Sequence, residues 1–295
     1  MTRTVVVLGD VVTDVVARLR GPIVQGSDTG ARIARRPGGS AANVSAWLAS
    51  LGVPTVLVAR VGDDREGAEH LAGLRSAGVR TRVCVDPQRP TGTVVALVAP
   101  AGERSMVTDR GANLALAATD VPGEEFRAGR LLHLSGYALL DRGPRAAARR
   151  ALALARAAGM TVSVDPSSVD PLVRVGPGRF LDWTRGTDTC LANLDEARAL
   201  TGLLPAQAAA RALTATYGEV VVTIGARGAL WSGAGSPEVV RVPSTPATVV
   251  DTTGAGDAFS AGYLAARGSG AAPLAALRAG AALAARAVEL TGARP

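Results

Sequence analysis

Residues 251–262, DTTGAGDAFSAG, set two aspartates, Asp251 and Asp257, around the small residues Gly254, Ala255 and Gly256, and an apolar run at helical spacing continues to Gly268. A glycine turn that opens a helix leaves backbone N–H groups unpaired and presents the positive end of the helix dipole. Small residues let an anion approach those N–H groups, and successive ones form an anion-binding nest. A carboxylate at this place repels an anion that is only bound. It gains a use when it takes the proton from a hydroxyl that attacks the anion, as phosphoryl transfer requires. A plain helix cap, with Asp257 complementing the dipole, accounts for this stretch equally well.

Other segments carry groups suited to the same chemistry. RRPGGSAANVSAWLASLG (35–52) has a second glycine pair, Gly38 and Gly39, leading into a helix with Asn43 in its first turn. Asp14 closes GDVVTD (9–14) after the first strand, and NLDE (193–196) places Asn193 and Glu196 at i, i+3 just past a strand. TIGARGALW (223–231) is a strand running into a turn marked by Gly225 and Gly228. Asp165 ends a strand before Pro166, where it either faces a ligand crevice or caps the next loop. Asp63 and Asp64 read as helix N-caps. His70, on an exposed-looking helix, and His133, inside an apolar strand, lack triad partners and read as structural, as does Trp47. Cys84 and Cys190 lie far apart without histidines in ligand spacing, which argues for buried thiols rather than a disulfide or a zinc site.

The elements that must position these groups alternate. Strand-like runs at 4–9, 55–62, 131–136, 161–165, 189–193 and 219–225 are separated by helical stretches at 40–52, 65–79, 142–158, 195–201 and 205–216, and helices near 257–267 and 273–291 close the chain. This alternation predicts an α/β fold with a mostly parallel sheet covered on both faces. Two segments break the rhythm. Residues 14–36 are strand-like but polar, and 91–111 reads as a hairpin turning at PAGE; both are expected in a small sheet beside the core. GALWSGAGSPEVVRVPS (228–244) reads as a hairpin on the edge of the core.

The composition bounds the function. The chain has 295 residues, 47% of them apolar, enough for one large core. No apolar run reaches the ~18 residues that span a bilayer, and MTRTVVVLGD lacks a signal-peptide pattern, so a cytoplasmic protein without a membrane partner is expected. The net charge is +7 and the chain has no lysine, its positive charge being carried by arginine. The arginines are scattered and aromatics amount to 3%, so a nucleic-acid partner is not expected. Without lysine, a P-loop, a protein-kinase site and Schiff-base chemistry are excluded as intrinsic activities.

Taken together, PGGSAAN (37–43), NLDE and above all DTTGAGDAFSAGYLAA (251–266) resemble the ribokinase (PfkB-type) carbohydrate kinase family over essentially the whole chain. The resemblance implies a ribokinase-like three-layer αβα sandwich, one domain over 1–295, with a small β-sheet lid from segments near 11–36 and 91–110. It implies an enzyme that transfers the γ-phosphoryl group of ATP, with Mg²⁺ and in several members K⁺. Asp257 aligns with the catalytic base, and Gly254, Ala255 and Gly256 with the anion hole. Asn193 and Glu196 align with the motif that supports Mg²⁺ through water, and Thr223, Gly225 and Gly228 with the nucleotide border. Asp251 aligns with a monovalent-cation ligand, and Asp14, Gly38, Gly39 and Asn43 with substrate-hydroxyl contacts. A homodimer paired through the lid is expected.

Departures from ribokinase bear on the acceptor. Val12 and Ser40 stand where ribokinase has asparagine and lysine, and Ser135-Gly136-Tyr137 offers no glutamate to a sugar hydroxyl. Lost polar contacts weaken ribose recognition. GERSM (102–106) resembles the lid edge of fructokinase-like and 2-keto-3-deoxygluconate kinase-like members, which makes Arg104 a candidate contact for a sugar or sugar acid. A nucleoside kinase of the same family and a non-catalytic nucleotide- or sugar-binding regulator are the alternatives.

Overall fold

VVVL within TVVVLG folds as an interior strand of a large sheet, its residues alternating between two cores: Val6 and Leu8 pack into one, Val5 and Val7 into the other. The computed structural model describes residues 3–101 and 103–295; Met1 and Thr2, and Gly102 within the expected PAGE turn, lie outside the described residues. In chain order the first half holds β1 (Val5–Leu8), β2 (Val12–Leu19), β3 (Ala31–Gly38), α1 (Ser40–Ser50), β4 (Thr55–Gly62), α2 (Arg65–Ser76), β5 (Arg80–Asp86), β6 (Gly92–Val98) and β7 (Arg104–Asp109). After three 3₁₀ turns come β8 (Leu131–Ser135), α3 (Tyr137–Leu140), α4 (Arg145–Ala157), β9 (Thr161–Asp165), α5 (Val169–Val175), α6 (Pro177–Thr184) and β10 (Thr189–Asn193). The chain continues through α7 (Leu194–Thr201), α8 (Ala206–Leu213), β11 (Glu219–Thr223), β12 (Ala229–Gly233), β13 (Val239–Val242), α9 (Ala255–Gly268) and α10 (Pro273–Val288).

Among the described residues the large sheet has nine strands, ordered β13-β12-β11-β10-β9-β8-β1-β4-β5. The strands from β11 to β5 run parallel, while β12 and β13 add antiparallel at one edge, as the hairpin reading of 228–244 anticipates. Strands buried on both faces need apolar residues at successive positions, which is why VVVL and EVVVT lack alternation. The helices α4, α7 and α8 cover one face; α1, α9 and α10 cover the other. This is the ribokinase-like α/β fold.

A second sheet of four strands, ordered β3-β2-β6-β7, stands apart from the first. Its pairs β2–β3 and β6–β7 are antiparallel and β2–β6 is parallel. Alternation gives it two faces. Val12, Asp14, Val16, Val94, Ala96 and Val98 look into a cavity against the large sheet, and Ile33 and Val107 on the other face are exposed. Sequence periodicity missed β5, whose residues before Asp86 are all exposed or half-exposed, and the short helices α5 and α6.

Candidate active site

Asp257 lies in the first turn of α9, behind the N-cap Gly254 at φ +76°. Its carboxylate accepts the Ser40 hydroxyl on Oδ1 at 2.8 Å and the Asn43 Nδ2 on Oδ2 at 2.9 Å. Both donors come from the first turn of α1, so two helix N-termini converge on one carboxylate. The approach demands glycine at each start. A Cβ on Gly39, at φ +94°, would fall 2.6 Å from the Asp10 carbonyl oxygen, and one on Gly254 would fall 2.6 Å from the Ala293 Cβ. Burial pushes the Asp257 carboxyl up to about 7; hydrogen bonds from Asn43 and Ser40 oppose that shift, and the charges of Asp10 and Asp14 reinforce it.

The surrounding cavity, of about 260 Å³, lies at the C-terminal ends of the parallel strands and under the small sheet, the usual ligand crevice of such sheets. Of the residues singled out from the sequence, Asp14, Gly39, Asn43, Arg104, Asn193, Glu196, Thr223, Gly254, Gly256 and Asp257 line it. Burial, with Asp10 adding to it, raises the Asp14 carboxyl to about 6.

Several residues are placed differently from the expectation. Gly225 and Gly228 belong to the turn between β11 and β12 rather than to the cavity lining; a Cβ on Gly228 would sit 2.0 Å from the Val242 carbonyl oxygen, so packing of the hairpin explains that glycine. Gly38 ends β3, where a Cβ would meet the Asp14 carboxylate at 2.3 Å, and Ala255 starts α9 behind the lining. Asn43, expected on a substrate hydroxyl, spends its amide on Asp257 and on Arg294, whose Nε donates to Asn43 Oδ1 at 3.0 Å. His70 is buried, not exposed: its Nε2 lies 2.7 Å from the Thr13 hydroxyl, and burial lowers its pKa to about 4. Of the two expected caps, Asp64 is the N-cap of α2, accepting from Gly67 N–H at 2.8 Å.

Asn193 and Glu196 form a reciprocal capping box at the start of α7. Glu196 Oε2 accepts the Asn193 backbone N–H at 2.9 Å and Oε1 accepts Asn193 Nδ2 at 2.7 Å, while Asn193 Oδ1 accepts the Glu196 N–H at 2.9 Å. Glu196 nonetheless faces the cavity, and burial raises its carboxyl to about 7. Nearby Asp165 is held far above the carboxylate range by burial and by Glu196 and Asp257. Ser167, which donates its N–H to Asp165 Oδ1 at 2.7 Å, has φ +71°, a left-handed conformation rare outside glycine.

Asp251 sits behind the glycine turn. Arg104 Nη2 donates to its Oδ1 at 2.7 Å, Arg104 Nη1 donates to the Thr253 hydroxyl, and Arg18 adds a charge at 3.7 Å. Thr253 N–H and Oγ1 reach Oδ1 at 3.0 and 2.7 Å, and Gly292 N–H reaches Oδ2 at 3.3 Å. Burial alone would raise this carboxyl; the Thr253 and Arg104 donors outweigh it and hold the group at about 2.

Sequence reasoning passed over Asp10, Ser40, Arg110 and Arg294. Asp10 follows β1 at the crevice edge, a place that a sheet-topology argument marks. Ser40 stood in a quoted motif but only as a departure. Arg110, stacked 3.9 Å over the Tyr137 ring and 3.4 Å from Asp10, and Arg294 arrive from distant sequence and carry no local signal.

The pfkB family carbohydrate kinase model matches residues 2–295. The chain belongs to the PfkB family of carbohydrate kinases. A fructokinase of Escherichia coli is 33% identical over 275 residues, 90% of this chain and 84% of that protein. The crystal structure of an adenosine kinase from Sinorhizobium meliloti superposes with a TM-score of 0.89 at 28% identity, covering 100% of this chain and 96% of that one. A structure described as a ribokinase II of E. coli, in complex with ATP and Mg²⁺, superposes with a TM-score of 0.86 at 26% identity, covering 99% and 94%.

Two ions implied by the PfkB family fare differently against these residues. The carboxylates Asp165, Glu196 and Asp257 share the cavity and are each raised in pKa by burial, with neighbouring carboxylates adding to the shift, an oxygen-rich set that a divalent cation would relieve. Among the described residues no group of three or more His, Cys, Asp or Glu side chains is close enough to chelate an ion directly, which suits a Mg²⁺ that keeps its waters. A monovalent cation at Asp251 does not fit. Both oxygens of that carboxylate already face N–H or O–H donors, two guanidinium groups among them. Among the described residues no helix is long and apolar enough to cross a membrane.

Proposed function

We propose that this carbohydrate kinase transfers the γ-phosphoryl group of ATP to a primary hydroxyl of a neutral sugar, fructose-like rather than acidic. The observation that carries the reading is the placement of the Asp257 carboxylate, oriented from α1 by Ser40 and Asn43, in the same cavity as the backbone of Gly254 and Gly256. Asp257 takes the proton from the acceptor hydroxyl as its oxygen bonds to phosphorus, the bond to the ADP oxygen breaks, and the N–H groups at the start of α9 receive the charge on the phosphoryl oxygens. Glu196 and Asp165, which line the cavity, would hold Mg²⁺ there, and the ion would supply positive charge against the phosphates. The small sheet acts as the lid that keeps water, a competing acceptor, from the site.

Charge supports a neutral acceptor: Asp10, Asp14 and Asp257 line the cavity, Arg110 there is paired with Asp10 and Asp141, and Arg104, the group proposed for an acid, is committed to Asp251. The fructokinase relative supports the same class. A nucleoside is the second reading. It is favoured by the apolar lid face of Val16, Val94, Ala96, Val98 and Met106, a surface for a planar base, and by the adenosine kinase neighbour.

The test is ADP formation from ATP and Mg²⁺ with fructose and other hexoses, pentoses, 2-keto-3-deoxy acids and nucleosides in parallel. The reading predicts the highest kcat/KM on a neutral ketohexose or related sugar; a maximum on a keto acid contradicts it, and a maximum on a nucleoside selects the second reading. The exposed outer lid face around Ile33 and Val107 supports homodimer formation through the lid.

A further inference from the structure

We propose that Arg294 is a positioning residue for phosphoryl transfer: it fixes the Asn43 amide so that Asn43 can hold Asp257. The proposal rests on the reading of Asp257 as the base. Arg294 follows α10 and lies 251 residues from Asn43 in sequence. A guanidinium can only donate hydrogen bonds. Its Nε therefore engages Asn43 through the amide oxygen, at 3.0 Å, and the amide must turn its NH₂ toward Asp257, at 2.9 Å. Reversed, the Asn43 oxygen would confront a carboxylate oxygen and the NH₂ would confront a guanidinium. Arg294 resolves that two-fold choice, and Nη2, bonded to the Gly38 carbonyl oxygen at 2.7 Å, ties its own position to the turn that starts α1.

The residues beside Arg294 tie the same segment to the rest of the site. The Ala293 carbonyl oxygen accepts from the buried Trp47 Nε1 at 2.9 Å, the Ala293 Cβ occupies the space next to Gly254, and Gly292 N–H donates to Asp251. Residues 292–294 thus touch the acceptor helix, the glycine turn and the carboxylate behind it. Arg294 also brings the positive charge that faces Asp10, Asp14 and Asp257; burial lowers its own pKa to about 10, which leaves it charged at neutral pH. Among the described residues no other hydrogen bond reaches the Asn43 amide oxygen.

Arg294→Ala, Arg294→Lys, Asn43→Ala and the double variant Arg294→Ala/Asn43→Ala test the linkage, with thermal melting recorded for each. If Arg294 acts through Asn43, Arg294→Ala lowers kcat by about 10- to 100-fold with the KM for ATP little changed, and costs less than about 3-fold more once Asn43 is alanine. Lysine at 294, or guanidinium ion added to the alanine variant, recovers part of kcat. A structural role alone predicts full, additive losses in the double variant and no rescue, and either result overturns the proposal. An activity-independent readout separates this from failure of the base assignment: the Asn43 side-chain amide signals in ¹⁵N spectra, assigned with Asn43→Ala, must shift strongly in Arg294→Ala. Unchanged signals refute the linkage whatever Asp257 does.

Discussion

Arg104 of β7 in the small sheet donates to Asp251 at 2.7 Å, joining that sheet to the turn that opens α9 across 147 residues of sequence. The guanidinium stands where the family resemblance suggested a monovalent cation. Activity in K⁺, Na⁺ and choline chloride at equal ionic strength should therefore agree within about 2-fold, since a resident arginine is always charged. Arg104→Ala should lower kcat by about 10-fold or more by freeing both the lid strand and the Asp251 carboxylate, a loss that a lysine replaces only in part because the paired donation to Asp251 and Thr253 needs a forked group. Strong K⁺ activation of the unmodified enzyme would show that the ion pair opens in the working state.

The Asp257 carboxyl, pushed up to about 7 by burial, must be ionised to act as a base. The kcat/KM for the acceptor should rise with pH and level off above about 7, because this parameter reports the free enzyme. The sign for stability is the opposite. A carboxyl whose folded pKa lies above its ordinary 3.8 stabilises the fold fully below that value and loses the contribution as pH rises toward 7. Asp257→Asn should consequently raise the melting temperature by several degrees at pH 8 and leave it nearly unchanged at pH 4. Asp251 behaves in reverse: held at about 2, it contributes stability above its ordinary 3.8 that is lost as pH falls toward 2.

Gly254 adopts φ +76°, and its missing Cβ leaves room for Ala293. Gly254→Ala should cost about 1–3 kcal/mol from the left-handed backbone, with more from the 2.6 Å clash with the Ala293 Cβ, and lower kcat more than it raises KM. Gly225→Ala, at φ +57° but with open space around the added Cβ, should lose stability with little change in kcat. Urea midpoints and steady-state rates separate the two.

Glu196 caps α7 and faces the carboxylate-rich end of the cavity. Glu196→Gln should destabilise the fold by about 1 kcal/mol or less through the weakened capping box while raising the Mg²⁺ concentration needed for half-maximal rate by about 10-fold. Chelation by EDTA should abolish turnover, and Mg²⁺ should restore it.

Ile33 and Val107, both exposed on the outer lid face, should hold two copies together. Sedimentation should give twice the chain mass, and Val107→Glu should give the monomer.

What the sequence disclosed was local. The residues of the glycine turn with Asp257 sit within a few positions of each other, as do Asn193 and Glu196 of NLDE, so spacing alone exposes each motif. The parallel sheet was legible for the same reason: its buried strands are short apolar runs, as in EVVVT, bounded by turns. Pairings that cross the chain were not legible. Arg104 carries the same side chain whether it meets a sugar acid or Asp251, and only the register of β6 and β7 decides which. Arg294 follows the last helix among scattered arginines, with nothing local to mark it. His70 read as exposed because the helical pattern around it is polar; Thr13, brought over by the lid strand β2, buries it. Asn43 stood in the right motif, but its two hydrogen-bond partners come from sequence more than 200 residues away.

The central claim is that Asp257 is the base. Asp257→Asn, compared with the unmodified enzyme in acceptor-dependent ADP formation with saturating ATP and Mg²⁺, measures it most directly. The account predicts a kcat loss of about 10²–10⁴-fold, with the KM for ATP within a few-fold and the fold at least as stable at pH 8. Turnover close to that of the unmodified enzyme would contradict it.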